Sequence, residues 1–541
     1  MAKANKQEYK HSDSGISGQY KTWFLDYASY VILERAVPAI EDGLKPVQRR
    51  ILHAMKEMDD GRFNKVANII GQSMQYHPHG DASIGDAIVN LGQKDLLIET
   101  QGNWGDVRTG DEAAAPRYIE ARPSKFALEV AFNNKTTNWQ LSYDGRKNEP
   151  VTLPMKFPLL LAQGAEGIAV GLATKILPHN FCELIEATIK YYKGKKFELF
   201  PDFATGGMID VTNYNDGVRG GKVRVRARIE EVDKKTIAIK DVPYGTTTSQ
   251  LIESIIKAND SGKIKVRKVT DNTAAEVEIT IDLAPGISPD ITIDALYAFT
   301  DCEISISPNL CVIEAQKPRF PGVSELLKFS ADYTRDLLKQ ELEIKLRELQ
   351  EKWHYTSLEK IFFEEKIYKE LEKKHETWDK VIVAIDKAFV SFKSILKRQI
   401  TREDILKLTE KPVRRIYKLD IDDLIRQIKS LEDDIAEVRH HLEFLTEYAI
   451  SYYEELLNKF GKGRERKTEI KLFDVIQAKA VAIANTKIYV NRSEGFIGTG
   501  LKKDEFVADC SDLDDIIAFT KSGKMKVVKV SDKVFIGKDI I

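Results

Sequence analysis

The 541-residue chain is poor in cysteine, with four in all: Cys182, Cys302, Cys311 and Cys510 are scattered and show no CxxC spacing. A disulfide scaffold and a zinc finger are thereby set aside, and a reducing cytoplasm is the expected location. No window of about 18 apolar residues occurs, so no membrane-spanning helix is expected. The start, MAKANKQEYKHSDSG, lacks the apolar core of a secretory signal. Neither sign of charge is in excess, with 82 Lys and Arg against 83 Asp and Glu, net −1. That balance excludes a uniformly basic nucleic-acid coat and leaves room for a local basic groove. Nucleotide loops are missing as well. Gly495 to Gly500 has the outer glycine spacing of a phosphate loop without the Gly-Lys-Ser/Thr that completes one, and no HExxH, GxSxG or kinase signature occurs. ATP hydrolysis by this chain alone is not expected.

What is there suits a globular multidomain α+β protein. Hydrophobic residues make up 43% and charged residues 30%, and the length suggests three or four domains. Residues 1–20 read as a flexible tail. From Tyr20 to about Val37, Trp23, Phe24, Tyr27, Tyr30 and Val31 fall at helical spacing, with Pro38 ending the helix. Further helices are expected from Pro46, from about Asn64 to Met74, and after HPHGD with Asp81 as N-cap. Short helices followed by GNWGDVRTG predict a helix-turn-helix with a wing within 21–150. Residues 151–322 carry β-branched runs such as KVRVRARIEEV and EVEITIDL, and predict an α/β domain with a mixed or antiparallel sheet. Between 323 and 470, Leu338, Leu342, Leu346, Leu349 and Trp353 form one apolar stripe. Leu424, Ile428, Leu431, Ile435, Val438, Leu442 and Leu445 form another. Two such stripes predict an antiparallel coiled coil with a helical knob, about 362–418, at its far end. Residues 471–541 are strand-like and read as the start of a β domain that stops after one sheet unit.

Four stretches could carry chemistry. His77-Pro78-His79-Gly80-Asp81 is the densest polar cluster; it reads either as a helix-entry turn or as a DNA-backbone contact. Positions 35–77 hold seven Lys and Arg against five acids, among them Arg35, Lys45, Arg49 and Arg50. These cations form either a solvated face or a phosphate surface. The Arg117-Tyr118 pair in AAAPRYIEARPSK is either packing or a phosphoryl-transfer nucleophile beside a charge-neutralising guanidinium. The nucleophile role requires a neighbouring cation or metal to favour phenolate over a phenol of pKa about 10. Gly164 to Gly171 surrounds Ile168 with glycine, and reads as a buried turn or as an apolar wedge for DNA base steps. No third metal ligand accompanies His77 and His79, so no metal site is expected on this chain.

Taken together, YVILERAVPAIEDGLKPVQRRILHAM, YHPHGDASIGDAIVNLGQ, QGNWGDVRTGDEAAAPRYIEAR, GAEGIAVGLATKILPHN and the paired apolar stripes resemble the A subunit of bacterial type IIA DNA topoisomerases, across about residues 20–540. The resemblance implies an isomerase that breaks and rejoins double-stranded DNA. Tyr118 would attack a phosphodiester and become linked to a 5′ phosphate, with Arg117 stabilising the transferring group. Arg35, Lys45, Arg49, Arg50, His77 and His79 would line the scissile phosphates, and Ile168 would intercalate. It implies a winged-helix cleavage domain (21–150), a tower domain (151–322), a coiled coil with an exit-gate knob, and the start of a C-terminal β-pinwheel. A B subunit would hold Mg²⁺ and ATP, within an A2B2 heterotetramer of the cytoplasm. A drug-contact region maps to Ala82 and Asp86, with alanine where many relatives carry serine. Gln48 stands for a common histidine, and APRYIE for AMRYTE. No glutamine-arginine-glycine box occurs, which favours topoisomerase IV over gyrase. The rival readings are gyrase itself, a non-catalytic architectural DNA-binding protein, and a structural coiled-coil protein.

Overall fold

Residues 16–411, 418–474, 476 and 482–541 are described by the computed structural model of the protein. Most of the expected tail, 1–15, and part of the knob's end, 412–417, lie outside them. The first helix, Ile16–Val31, continues through a π-helical turn, Ile32–Ala36, before Val37 turns extended ahead of Pro38. It starts inside the segment expected as tail: Ile16 to Tyr20 form its first turn, because the aromatic helix that follows carries nucleation backward. Three helices then pack together, Pro46–Glu57, Val66–Ser73 and Asp81–Gln93. The N-cap of the last is Gly80 rather than Asp81, which occupies the first helical position and accepts the Ala82 amide at 3.0 Å. An acid there still favours the positive helix terminus. Beside these helices, Glu120–Pro123 lies between Asn64–Lys65 and Ile98–Gln101 in an antiparallel sheet.

Two four-stranded sheets follow. Ile229–Asp233, Thr236–Ile239, Ile279–Leu283 and Val266–Asp271 form an antiparallel one. Glu303–Ile306, Val223–Arg226, Met208–Asp210 and Glu469–Ile470 form a mixed one, its last strand parallel. The chain thus returns to this sheet from far downstream, across the boundary expected near 470.

Parts of the two stripes meet. Helix Val323–Glu364 packs along Lys418–Glu443. Trp353, Leu431 and Ile435 are buried together with Leu346, Leu349 and Ile428 against them, and Trp353 Nε1 donates to Glu432 at 3.1 Å. The second stripe does not run unbroken to Leu445. Phe444 leaves the helical region (φ −107°, ψ 52°) and a new helix, Leu445–Phe460, begins. That break turns Tyr453 and Leu456 into the first core, beside Phe126, Phe157 and Phe181. The first core also takes in Leu153, Met155 and Leu159, so it does not close at residue 150.

At the chain's end Thr486–Asn491 pairs with Glu505–Cys510 and Phe496–Gly498, while Asp515–Phe519 and Met525–Lys529 form the expected hairpin. The glycines that mimic a phosphate loop serve packing. A Cβ on Gly498 would stand 2.1 Å from the Asp532 carbonyl oxygen.

Candidate nucleic-acid interface

A cleft of about 680 Å³ opens between the helix Asp81–Gln93, the start of Pro46–Glu57 and the hairpin formed by Ala165–Ile168 and Ala173–Ile176. Arg35, Lys45, His77, His79, Asp86 and Ile168, all singled out in the sequence, line it. Arg35 is exposed. Lys45, N-cap of its helix, sends Nζ across the cleft to donate to the Glu166 carbonyl at 2.6 Å, while its amide donates to Gln48 Oε1 at 3.0 Å. Gln48 therefore caps the helix start.

The two adjacent arginines part company. Arg50 reaches toward the cleft wall, donating to Glu149 at 2.7 and 2.9 Å and to His77 Nδ1 at 3.2 Å. Arg49, expected on the phosphate surface, points inward. It is buried and donates to Asp42 at 2.6 and 2.9 Å and to the Leu44 carbonyl at 3.2 Å. Asp42 also accepts the amides of Leu44 and Leu153, at 3.1 and 2.9 Å. This corrects the sequence reading: the ion pair closes the loop before the helix, and Arg49 does not face the cleft. Helical spacing carried the signal, since 46, 49 and 53 share one face and Pro46 and His53 are buried with it.

Burial, and next the neighbours Arg50, His79 and Arg35, hold the His77 imidazole near a pKa of about 4. His77 is therefore neutral at pH 7. With Nδ1 accepting from Arg50, its proton sits on Nε2, a donor available to a phosphate oxygen. His79 pairs edge-on with His77, ring centroids 4.8 Å apart, and its Nε2 contacts the Tyr30 hydroxyl. Desolvation lowers the Lys45 pKa from the usual lysine value, with Glu166 opposing the shift.

The hairpin is specified by glycine. A Cβ on Gly167 would lie 2.1 Å from the Ala36 carbonyl oxygen, and Gly171 (φ +74°) closes the tip. Ile168 stands at its end, 87% exposed. The side chain is not buried in the turn; it projects.

Arg117 and Tyr118 are both exposed, and the guanidinium carbon lies 4.4 Å from the phenol ring centroid. Neither lines the 680 Å³ cleft. Ala82 and Asp86 border a second hollow, about 610 Å³, whose other wall is the stretch 111–116 leading to Arg117. Among the described residues no group of three His, Cys, Asp or Glu side chains could hold a metal ion, and no helix is long and apolar enough to cross a membrane. Sequence reasoning missed Asp42 and Glu149, the counter-charges of the arginines, and Lys94 in the cleft floor. The acids come from distant or loop segments, and no spacing rule links them to their partners.

The family profile for the A subunit of DNA gyrase/topoisomerase IV matches residues 35–454, and one described as "Topoisomerase C-terminal domain, Bacteroidota" matches 487–541. The chain is 43% identical over 515 residues to the A subunit of DNA topoisomerase 4 from Borreliella burgdorferi, covering 95% of this chain and 82% of that one. It is 35% identical over 368 residues to the A subunit of DNA gyrase from Lawsonia intracellularis, covering 63% and 44%. With the gyrase A subunit of Staphylococcus aureus Mu50 the identity is 29% over 577 residues, covering 96% and 63%. The chain belongs to the family of DNA gyrase and topoisomerase IV A subunits.

Proposed function

We propose that this chain is the DNA-breaking and rejoining subunit of a type IIA topoisomerase, of topoisomerase IV type. The observation that carries the reading is the exposed Arg117-Tyr118 pair in a chain 43% identical to the A subunit of a topoisomerase 4. Tyr118 gives up its phenol proton to solvent as Oη attacks a DNA phosphorus; the P–Oη bond forms, the P–O3′ bond breaks, and the 3′ oxygen leaves with a proton from solvent. The phosphotyrosine ester conserves the bond, so reversal by the 3′ hydroxyl reseals the strand. Arg117, with its planar set of donors, neutralises charge on the phosphate oxygens as they crowd the phosphorus. Arg35, Lys45, His77 and His79 hold the backbone, and Ile168 wedges between base steps to bend the duplex. Arg49 acts by fixing the loop through Asp42, and Arg50 by orienting His77.

The winged-helix reading of the first domain is supported by its helices beside a three-stranded sheet, and the coiled coil by its facing stripes. Tower, exit gate and pinwheel are the roles proposed for the remaining parts. The active assembly is an A2B2 heterotetramer in the bacterial cytoplasm, with Mg²⁺ and ATP held by the B subunit. Two copies of Tyr118 cut the two strands, in keeping with two-fold symmetry. Reconstitution with the B subunit, ATP and either catenated or relaxed plasmid tests the type. Decatenation without negative supercoiling is expected, and supercoiling of relaxed plasmid would make the enzyme a gyrase. An architectural protein would give no Tyr118-dependent nicking or linearisation at all.

A further inference from the structure

Lys94 is the C-cap residue of the helix Asp81–Gln93 and lines the same cleft as Lys45. Its Nζ leans on the Gly164 carbonyl at 3.4 Å, a long hydrogen bond, while Lys45 Nζ sits on the Glu166 carbonyl two residues further along the chain, in the strand Ala165–Ile168. The half-buried ammoniums repel each other. Among the described residues neither has a carboxylate at ion-pairing distance: Glu166, whose charge attracts both, pairs instead with Lys175 at 3.4 Å. A lysine at a helix C-terminus gains about 0.3–1 kcal/mol from the helix dipole. That gain does not account for a second lysine beside it in a desolvated cleft, where uncompensated charge is costly. The arrangement lacks an anion.

We propose that Lys94 and Lys45 form a two-lysine seat for a DNA backbone phosphate, built against the strand that presents Ile168. The seat rests on the DNA-breaking reading given above. A phosphate held there is fixed to the backbone of residues 164–166, next to the wedge, so that backbone capture and intercalation share one support. Burial, and next the charge of Lys45, bring the Lys94 pKa down to about 8, with Glu166 opposing them. The groups facing Lys94 are thus Lys45 from the start of one helix and Glu166 from the hairpin. Lys94 is mostly charged at pH 7 and sheds its proton through pH 8, and a bound phosphate pulls the proton back. DNA affinity therefore declines as pH rises through this window.

The test measures binding of the assembled enzyme, without ATP, to a duplex oligonucleotide, from about 50 to about 200 mM salt and from about pH 7 to pH 9. Lys94→Met should bind roughly tenfold more weakly at low salt and pH 7. Its salt slope should be shallower by about one per seat, and its affinity should lack the decline near pH 8. Lys94→Arg should restore the slope and hold affinity to higher pH. The Lys94→Met thermal midpoint should be no lower than that of the unaltered chain, which separates lost binding from lost folding. A Lys94→Met enzyme with the original salt slope and pH profile overturns the seat, as does weaker binding with an unchanged slope. Parallel trapping of covalent adducts keeps the two claims apart. If the unaltered enzyme forms none, the DNA-breaking reading fails; if it forms them while Lys94→Met binds as before, the seat alone fails.

Discussion

Asp42 carries more of the site than any cation in it. Its two oxygens accept from Arg49 and from the Leu44 and Leu153 amides, all out of water. Asp42→Ala leaves a buried guanidinium without its partner and should cost about 3–5 kcal/mol, measured by denaturant unfolding. Arg49→Met with Asp42→Leu should recover much of the loss, because an apolar pair replaces the ion pair. A solvated Arg49 contacting only DNA would instead leave stability unchanged in either variant. Two histidines contribute to acid sensitivity. His77 and His179 both lie near a pKa of about 4, mainly through burial, His179 with ring nitrogens 3.3 Å from the Leu161 carbonyl and 3.1 Å from the Tyr214 hydroxyl. In the unfolded chain each takes a proton near pH 6.5. Between pH 6.5 and 4 the unfolded state binds more protons, so stability falls as pH falls through that window. The thermal midpoint should drop across it, and His179→Gln should flatten part of the drop. At this scale the sequence marked residues that meet in one cleft, and helical spacing carried part of their orientation. Arg49 and Arg50 are neighbours with the same charge: the helix turns 49 to its buried face, and the distant acids at 42 and 149, which no spacing rule links to them, hold each in place.

The hairpin Ala165–Ile176 shows what an element adds to a residue. Its glycines allow the strand to pass within van der Waals distance of Ala36 and leave Ile168 uncovered. Ile168→Ala should leave the thermal midpoint almost unchanged, because the side chain is 87% exposed, yet reduce DNA bending and cleavage by roughly tenfold, since the apolar wedge offsets unstacking. A fluorescence bend assay with cleavage counts checks both; a large stability loss with normal bending would contradict the role. Gly167→Ala should do the reverse, destabilising by about 1–3 kcal/mol through overpacking. The glycine spacing in the sequence pointed to close approach, but a buried and a projecting Ile168 fit that spacing equally. The pairing of the helices Val323–Glu364 and Lys418–Glu443 could be anticipated because an apolar stripe at 4-3 spacing needs a facing stripe. The break at Phe444 could not, since neither proline nor glycine marks it and the reason lies in a distant core.

For the whole molecule, that distant core explains why the domain limits read from composition are crossed. Tyr453 donates to Thr334 at 3.1 Å, Tyr452 donates to the Lys156 carbonyl at 3.2 Å, and Lys156 pairs with Glu341 at 2.9 Å. The base of the coiled coil is thereby anchored beside the chain at 153–159, which also meets Asp42. Composition changes where β-branched runs begin, whereas cooperativity follows shared cores, and the two do not coincide here. Limited proteolysis should leave the Tyr453-bearing helix attached to the N-terminal part; its ready release would show the anchor to be weak. The cationic cleft, the wedge and the Arg117-Tyr118 pair all acquire their proposed purpose from one chemical event. The direct measurement is mass spectrometry of peptides after the assembled enzyme, with Mg²⁺ and plasmid, is quenched in detergent and digested with nuclease. The account predicts a nucleotide esterified to Tyr118 and none in Tyr118→Phe, which should still bind DNA. A nucleotide on another residue, or cleavage persisting in Tyr118→Phe, would contradict it.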